Sequence, residues 1–155
     1  MSEAARQAPK LLFRPDAFFL KPWKGCGVVR DRRGRPILRY AASGQGHAER
    51  RGATSEQTFT FEDGRVHKVE WEITSDDEVH YFAHDRLSDL EGHGEAVGDD
   101  FRWRLYAHAD TPFGLQKVKT VVLYTLVTPT TAFGFTRTSL WGLPLNTYTT
   151  FFEQM

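Results

Sequence analysis

From Trp23 onward, turn-forming residues punctuate this chain at short, regular intervals, and polarity alternates in the segments between them. Arg33-Gly34 separates segments at 23–31 and 36–46, and Asp63-Gly64 separates 55–62 from 66–74. Asp-Gly reads as a tight hairpin turn because glycine enters the positive-φ region without a Cβ penalty. Ser75-Asp76-Asp77, Ser88-Asp89 and Gly98-Asp99-Asp100 bound segments at 78–84, 90–97 and 101–109. Thr111-Pro112-Phe113-Gly114, Thr128-Pro129-Thr130 and Gly142-Leu143-Pro144 punctuate the remainder, leaving 116–128, 131–141 and 145–153. This is the pattern of antiparallel strands.

His67, Val69, Trp71 and Ile73 share one parity, with Lys68, Glu70 and Glu72 on the other. Phe101, Trp103, Leu105 and Ala107 oppose Arg102, Arg104, Tyr106 and His108, and Phe59 and Phe61 alternate with Thr58, Thr60 and Glu62. Successive strand side chains project to opposite faces, so each strand has an apolar side and a wet one. No stretch carries three turns of amphipathic helix; a short turn or helix over 16–20 is broken by Lys21-Pro22. A meander this long closes on itself to remove its edges. The expected fold is therefore all-β, an antiparallel up-and-down barrel of about 8–10 strands behind a short N-terminal helix or turn, with a sandwich as the alternative. A flexible N-terminus over 1–10 and one barrel domain over 11–155 are expected. With 14% aromatic residues the core needs no disulfide or metal, since each aromatic buries about 150–250 Å².

Twenty Lys+Arg balance twenty Asp+Glu, so no global attraction to nucleic acid or membrane is implied. The balance conceals a segregation: residues 1–50 carry a charge of +7 and residues 51–100 a charge of −10. From Thr120 on there are ten threonines, and only Arg137 and Glu153 are charged. Strand 120–127 is apolar on both faces, so one face needs a cover, either a second copy or the N-terminal Phe13, Phe18 and Phe19. The first ten residues hold no apolar signal core, and no run reaches membrane-spanning length, which points to a soluble cytoplasmic protein.

Trp23-Lys24-Gly25-Cys26-Gly27-Val28-Val29-Arg30-Asp31-Arg32-Arg33-Gly34 resembles the opening strand and first turn of a lipocalin-like (calycin-like) barrel. More specifically, the chain resembles a family of bacterial proteins often described as lipoproteins. That family reads G-x-G-V-V-x-D-R-x-G, then an E-x-F-x-F-x-D-G hairpin and a W-x-I strand. Glu56 to Gly64 and Trp71-Glu72-Ile73 match these. Gly92-His93-Gly94 and Arg102 to Tyr106 approximate the family's Gly-rich middle and its W-x-Y-like strand. The match spans residues 18–110; the family's acidic late strand is replaced here by the uncharged 120–127, and its lipoprotein cysteine is absent. The resemblance implies a barrel and no activity. It also implies that the opening Trp23 packs beneath a late-strand arginine, for which Arg137 is the candidate.

Six histidines invite a metal. His80 and His84, four apart in a strand, lie about 13 Å from each other at ~3.3 Å per residue, too far to share one. Haem-binding barrels of lipocalin-like type supply a late histidine, and His108 is the last here. Cys26 between two glycines reads as a small packed residue, and the acidic turns lack the Asp-x-Asp-x-Asp-Gly spacing of a calcium loop. Arg30, Arg32, Arg33, Arg35 and Arg39 could grip phosphate, or could be a solvated hairpin partnering the acidic middle segment.

No catalytic motif, metal site or cofactor emerges. The expected function is binding of a small apolar or amphipathic molecule in the barrel lumen. The alternatives are an enzyme of isomerase or cyclase type using the same cavity, or a filled-core assembly protein. The inward-facing candidates, taken from the more apolar parity of each strand, are Phe59, Phe61, Trp71, Tyr81, Trp103, Phe133 and Trp141. His67, the Tyr81 hydroxyl and Arg137 are the polar anchors. A homodimer through the strands after Thr120 is expected, and nucleic acid is not.

Overall fold

The structure, a computed structural model, describes residues 11–111 and 113–155. The expected flexible segment 1–10 lies outside the described residues. One short helix, α1 (Pro15–Phe18), precedes ten strands. They are β1 (Trp23–Arg30), β2 (Pro36–Glu49), β3 (Gly52–Phe61), β4 (Val66–Thr74), β5 (His80–Asp85), β6 (Glu91–Val97), β7 (Asp100–Thr111), β8 (Gly114–Thr128), β9 (Thr131–Leu140) and β10 (Leu143–Gln154). Each strand pairs antiparallel with the next, and β1 closes on β10, giving the expected up-and-down barrel.

Local chemistry sets the turns. Gly34 and Gly64 take φ of 78° and 91°. The Asp31 carboxylate accepts backbone N–H bonds from Arg35 (3.0 Å) and Arg33 (2.9 Å), and the Asp63 carboxylate accepts one from Arg65 (3.1 Å). Such carboxylate bonds hold the chain in the turn and keep both aspartates below the usual carboxylate range.

One end of the barrel is plugged. Phe13, Phe18 and Phe19, flanking α1, are buried and pack on Trp23, Phe101, Tyr124 and Phe152. The N-terminal aromatics thus cover the barrel's end, whereas the outer face of β8 keeps Val121 and Leu123 only half-buried. Arg14 bridges to Glu78 (3.0 Å), and the Tyr81 hydroxyl donates to Asp16 (3.2 Å), latching the plug to β5 and the turn before it. The other end carries the β1–β2, β3–β4, β5–β6, β7–β8 and β9–β10 turns.

Register corrects three expectations. In β9 the inward residues are Ala132, Gly134, Thr136 and Thr138, opposite inward Tyr124 and Phe152. A Cβ on Gly134 would sit 2.9 Å from the Phe152 ring and 3.1 Å from Tyr124, so the bulky side chains of this strand can only go outside. Phe133, Phe135 and Arg137 are therefore exposed on the outer wall, Arg137 lying 5.9 Å from the Phe135 ring centroid rather than over Trp23. Phe19 and Phe152 cover Trp23 instead, at 5.5 and 5.2 Å. Cys26, expected to pack, is exposed opposite Phe151.

Candidate functional site: a half-filled lumen

The lumen divides into two halves. Around the plug it is solid: Phe101 is 0% exposed and contacts Trp103 and Tyr81 at 5.0 and 5.1 Å. Glycine makes this packing possible, since a Cβ on Gly94 would lie 2.5 Å from the Phe101 ring. Towards the open end, inward-facing Leu38, Phe59, Phe61, Leu105 and Tyr148 keep part of their surface accessible, and inward His67 is exposed at the rim. Wall atoms still crowd the His67 ring, and this burial holds its pKa below the usual imidazole value.

The open half is rich in uncharged polar groups. The Tyr40 hydroxyl is hydrogen-bonded to Thr150 Oγ1, and burial pushes its pKa up to about 12. Thr138 Oγ1 donates to the Asn146 carbonyl and accepts its N–H, both at 3.2 Å. Nearer the plug, Gln57 Nε2 donates to Ser55 Oγ at 3.1 Å. Burial also raises Tyr148. Thr120 Oγ1 is buried with no hydrogen-bond partner among the described residues. No inward strand position holds a Lys or Arg. The buried Asp85 carboxylate accepts N–H bonds from Glu70 (3.0 Å) and Leu87 (3.1 Å) and the Ser88 hydroxyl (2.6 Å), so it anchors the turn that comes after β5.

Six of the nine residues singled out from sequence face the lumen: Phe59, Phe61, His67, Trp71, Tyr81 and Trp103. Of these, Tyr81 and Trp103 belong to the packed half around the plug. Phe133 and Arg137 stand outside, and Trp141 is 69% exposed in the β9–β10 turn. Sequence reasoning passed over Tyr40, Thr120, Thr138, Tyr148 and Thr150. Glycine pairs could have located the true parity: Gly25/Gly27, Gly44/Gly46 and Gly92/Gly94 all face inward, opposite bulky neighbours.

Away from the lumen, an open groove of about 400 Å³ beside the β2–β3 turn is lined by Arg50, Arg51, Glu72 and Arg86. Its Arg86 is already paired with Glu70 (3.0 Å) and Glu72. Outward His80 and His84 pair with Asp77 (2.8 Å) and Asp89 (2.6 Å). Among the described residues, no group of three His, Cys, Asp or Glu is placed to hold a metal, and no helix is long and apolar enough to cross a membrane.

With this geometry in place, residues 1–154 match the family described as protein of unknown function (DUF3833). The chain belongs to that family. Nothing in the description of DUF3833 speaks of lipoproteins. No curated protein sequence matches this DUF3833 chain. Among solved structures it resembles the S-type phycobiliprotein lyase CPES from Guillardia theta, with a TM-score of 0.67, 8% identity and 90% of each chain covered. It also resembles a DUF3598-family protein of unknown function from Nostoc punctiforme, with a TM-score of 0.60 and 15% identity, over 95% of this chain and 51% of that one. At such identities the likeness is one of fold: a lipocalin-like barrel.

Proposed function

We propose that this protein is a binding module whose half-open lumen takes a small, mainly apolar molecule carrying uncharged hydrogen-bonding groups. The observation that carries this reading is the contrast within one barrel. Apolar side chains are fully packed around the plug yet part-exposed at the other end, where Phe59, Phe61 and Leu105 face the interior. Pockets of this kind are mostly apolar with a few placed polar groups, and the Thr120, Tyr40 and Tyr148 hydroxyls supply them. With no cation on the inner wall, an anionic head group would enter unpaired, which is costly in a site of low dielectric. The isomerase or cyclase alternative would have to work with His67 alone, because Asp85 is committed to its turn.

Native mass spectrometry of the purified protein tests the reading, together with quenching of intrinsic tryptophan emission by a neutral apolar probe. Saturable binding that Leu105→Trp abolishes without lowering the melting temperature supports it. An absence of binding across varied neutral probes returns the chain to a filled barrel.

A second copy of this chain is the proposed cover for the outer face of β8 to β10. Outward Leu123, Phe133, Phe135 and Phe151 form an apolar strip there, with Phe133 and Phe151 rings 5.3 Å apart.

A further inference from the structure

Two neighbouring turns at the open end carry apolar side chains into solvent. Phe113, in the β7–β8 turn, is 64% exposed and Trp141, in the β9–β10 turn, 69%, and their ring centroids are 5.1 Å apart. Leu115 and Leu143 flank them, both exposed. The β7–β8 ladder runs on to Thr111 and Gly114, whereas β8 last pairs with β9 at Lys119. The tip of that hairpin therefore extends roughly 17 Å past the end of the β8–β9 ladder at ~3.4 Å per residue.

Folding does not ask for these side chains. Trp141 and Gly142 both have positive φ, 53° and 79°, the two-residue arrangement that normally takes Asn-Gly or Asp-Gly. A bulky residue in the left-handed region is strained. Here it is strained and also gains almost no burial. A tryptophan kept where Asn would be more stable is a sign of use.

The charge around the tips points the same way. β10 lies between β9 and β1, which sets the β1–β2 turn, with exposed Arg30, Arg32, Arg33 and Arg35, beside Trp141. On the other side Lys117 and Lys119 project from β8, Lys117 over the Tyr106 ring at 4.8 Å. The cluster does not partner the acidic middle segment through side-chain ion pairs: among the described residues its one ion pair is Arg35–Asp31 (3.1 Å). The opposite end mixes Glu49, Asp76, Asp77, Glu78, Asp99 and Asp100 with Arg14, Lys21, Lys24, Arg50 and Arg51. The mouth is basic on the side of Trp141, while Glu62, Asp63 and Asp89 lie on the turns across it.

The geometry points to the mouth of the barrel as a docking surface for an anionic lipid bilayer, with Phe113 and Trp141 entering the interface and the arginine hairpin and β8 lysines lying on the head groups. Aromatic rings favour that interface, and basic side chains near an anionic surface are attracted within a Debye length. An anionic surface would also orient the molecule, since it attracts the basic side of the mouth. This inference goes beyond lumen binding and does not depend on it.

Co-sedimentation of the full chain with phosphatidylcholine vesicles, with and without phosphatidylserine, tests it. We expect at least tenfold tighter binding to the serine-containing vesicles, weakened by raising salt. Phe113→Ser with Trp141→Asn should cut that binding tenfold or more. Trp141→Asn suits the left-handed turn, so the melting temperature should hold or rise and loss of binding cannot be ascribed to unfolding. Absence of binding to anionic vesicles overturns the proposal, as does binding that the tip substitutions leave unchanged. A change in oligomeric state caused by those substitutions without vesicles would overturn it too, by assigning the tips to a second copy.

Discussion

Phe13 lies face to face with Tyr124, ring centroids 4.7 Å apart and planes 13° from parallel. The contact joins a residue ahead of the first helix to an inward residue of β8, so it fastens the plug to the far wall of the barrel. Phe13 is almost wholly buried. Phe13→Ala should cost about 3–5 kcal/mol, the usual range for a buried phenylalanine. Urea unfolding followed by circular dichroism measures it; a loss below about 1 kcal/mol would mean that the plug contributes little to stability.

Across the barrel, Tyr40 and Thr150 hold each other's hydroxyls in the interior. Tyr40→Phe leaves Thr150 Oγ1 buried without its partner and should cost about 1–3 kcal/mol. Burial raises the folded-state pKa of Tyr40 from 10.0 to about 12. The unfolded chain therefore ionises first as pH rises, and the stabilisation, complete below pH 10, drains away between pH 10 and about 12. Alkaline denaturation of Tyr40→Phe should be correspondingly shallower over that interval. Equal slopes in the two proteins would place the shift elsewhere.

The barrel was legible because turns such as Asp63-Gly64 act locally and alternation such as His67 to Ile73 needs only the parity of one strand. The lumen was less so, because which parity faces inward depends on neighbours. In β9 the apolar parity, Phe133 and Phe135, goes outside, since Phe152 and Tyr124 from the adjacent strands already fill the space over Gly134. An apolar face pointing outward breaks the one-sided rule that served for β4 and β7, and no single-strand pattern reveals it.

That crowding is itself testable at Gly44. A Cβ there would meet the Glu56 carbonyl oxygen and sit 2.6 Å from the Trp23 ring. Neither can withdraw freely, because the carbonyl belongs to the β2–β3 ladder and Trp23 is pinned by Phe19 and Phe152. Gly44→Ala should destabilise by about 1–3 kcal/mol, the cost of overpacking. Gly64→Ala meets nothing within 4 Å and acts only through its φ of 91°, about 1–2 kcal/mol for a left-handed residue. Thermal melts distinguish the two: the tryptophan emission of Gly44→Ala should shift as Trp23 moves, while that of Gly64→Ala should not.

Three histidines should titrate in a fixed order. Hydrogen bonds to Asp77 and Asp89 raise His80 and His84, whereas burial lowers His67. The raised pair stabilises the fold below the unfolded value of 6.5, and that contribution is lost as pH climbs through their folded values. His67 acts in the opposite sense, its cost appearing as pH falls through 6.5. Histidine Cε1–H chemical shifts followed against pH should give His67 the lowest midpoint. Asp89→Asn should bring His84 back towards 6.5 and leave His80 in place.

The outer strip of β8 to β10 gives the last expectation. Leu123 pairs with Phe135 and Thr125 with Phe133 across the β8–β9 ladder, and Phe133 pairs with Phe151 across β9–β10. All these side chains point away from a lumen that their neighbours already occupy, so no rearrangement within one barrel can bury them. Cyclic two-fold association is the commonest way for soluble chains to cover such a face. Sedimentation at micromolar concentration should therefore show a dimer, and Phe133→Ser with Phe135→Ser should convert it to monomer while keeping the barrel's circular dichroism. Those substitutions remove no inward side chain, so lumen binding should survive them. A wild-type protein that sediments as a monomer across that range would leave the strip without a second copy to cover it.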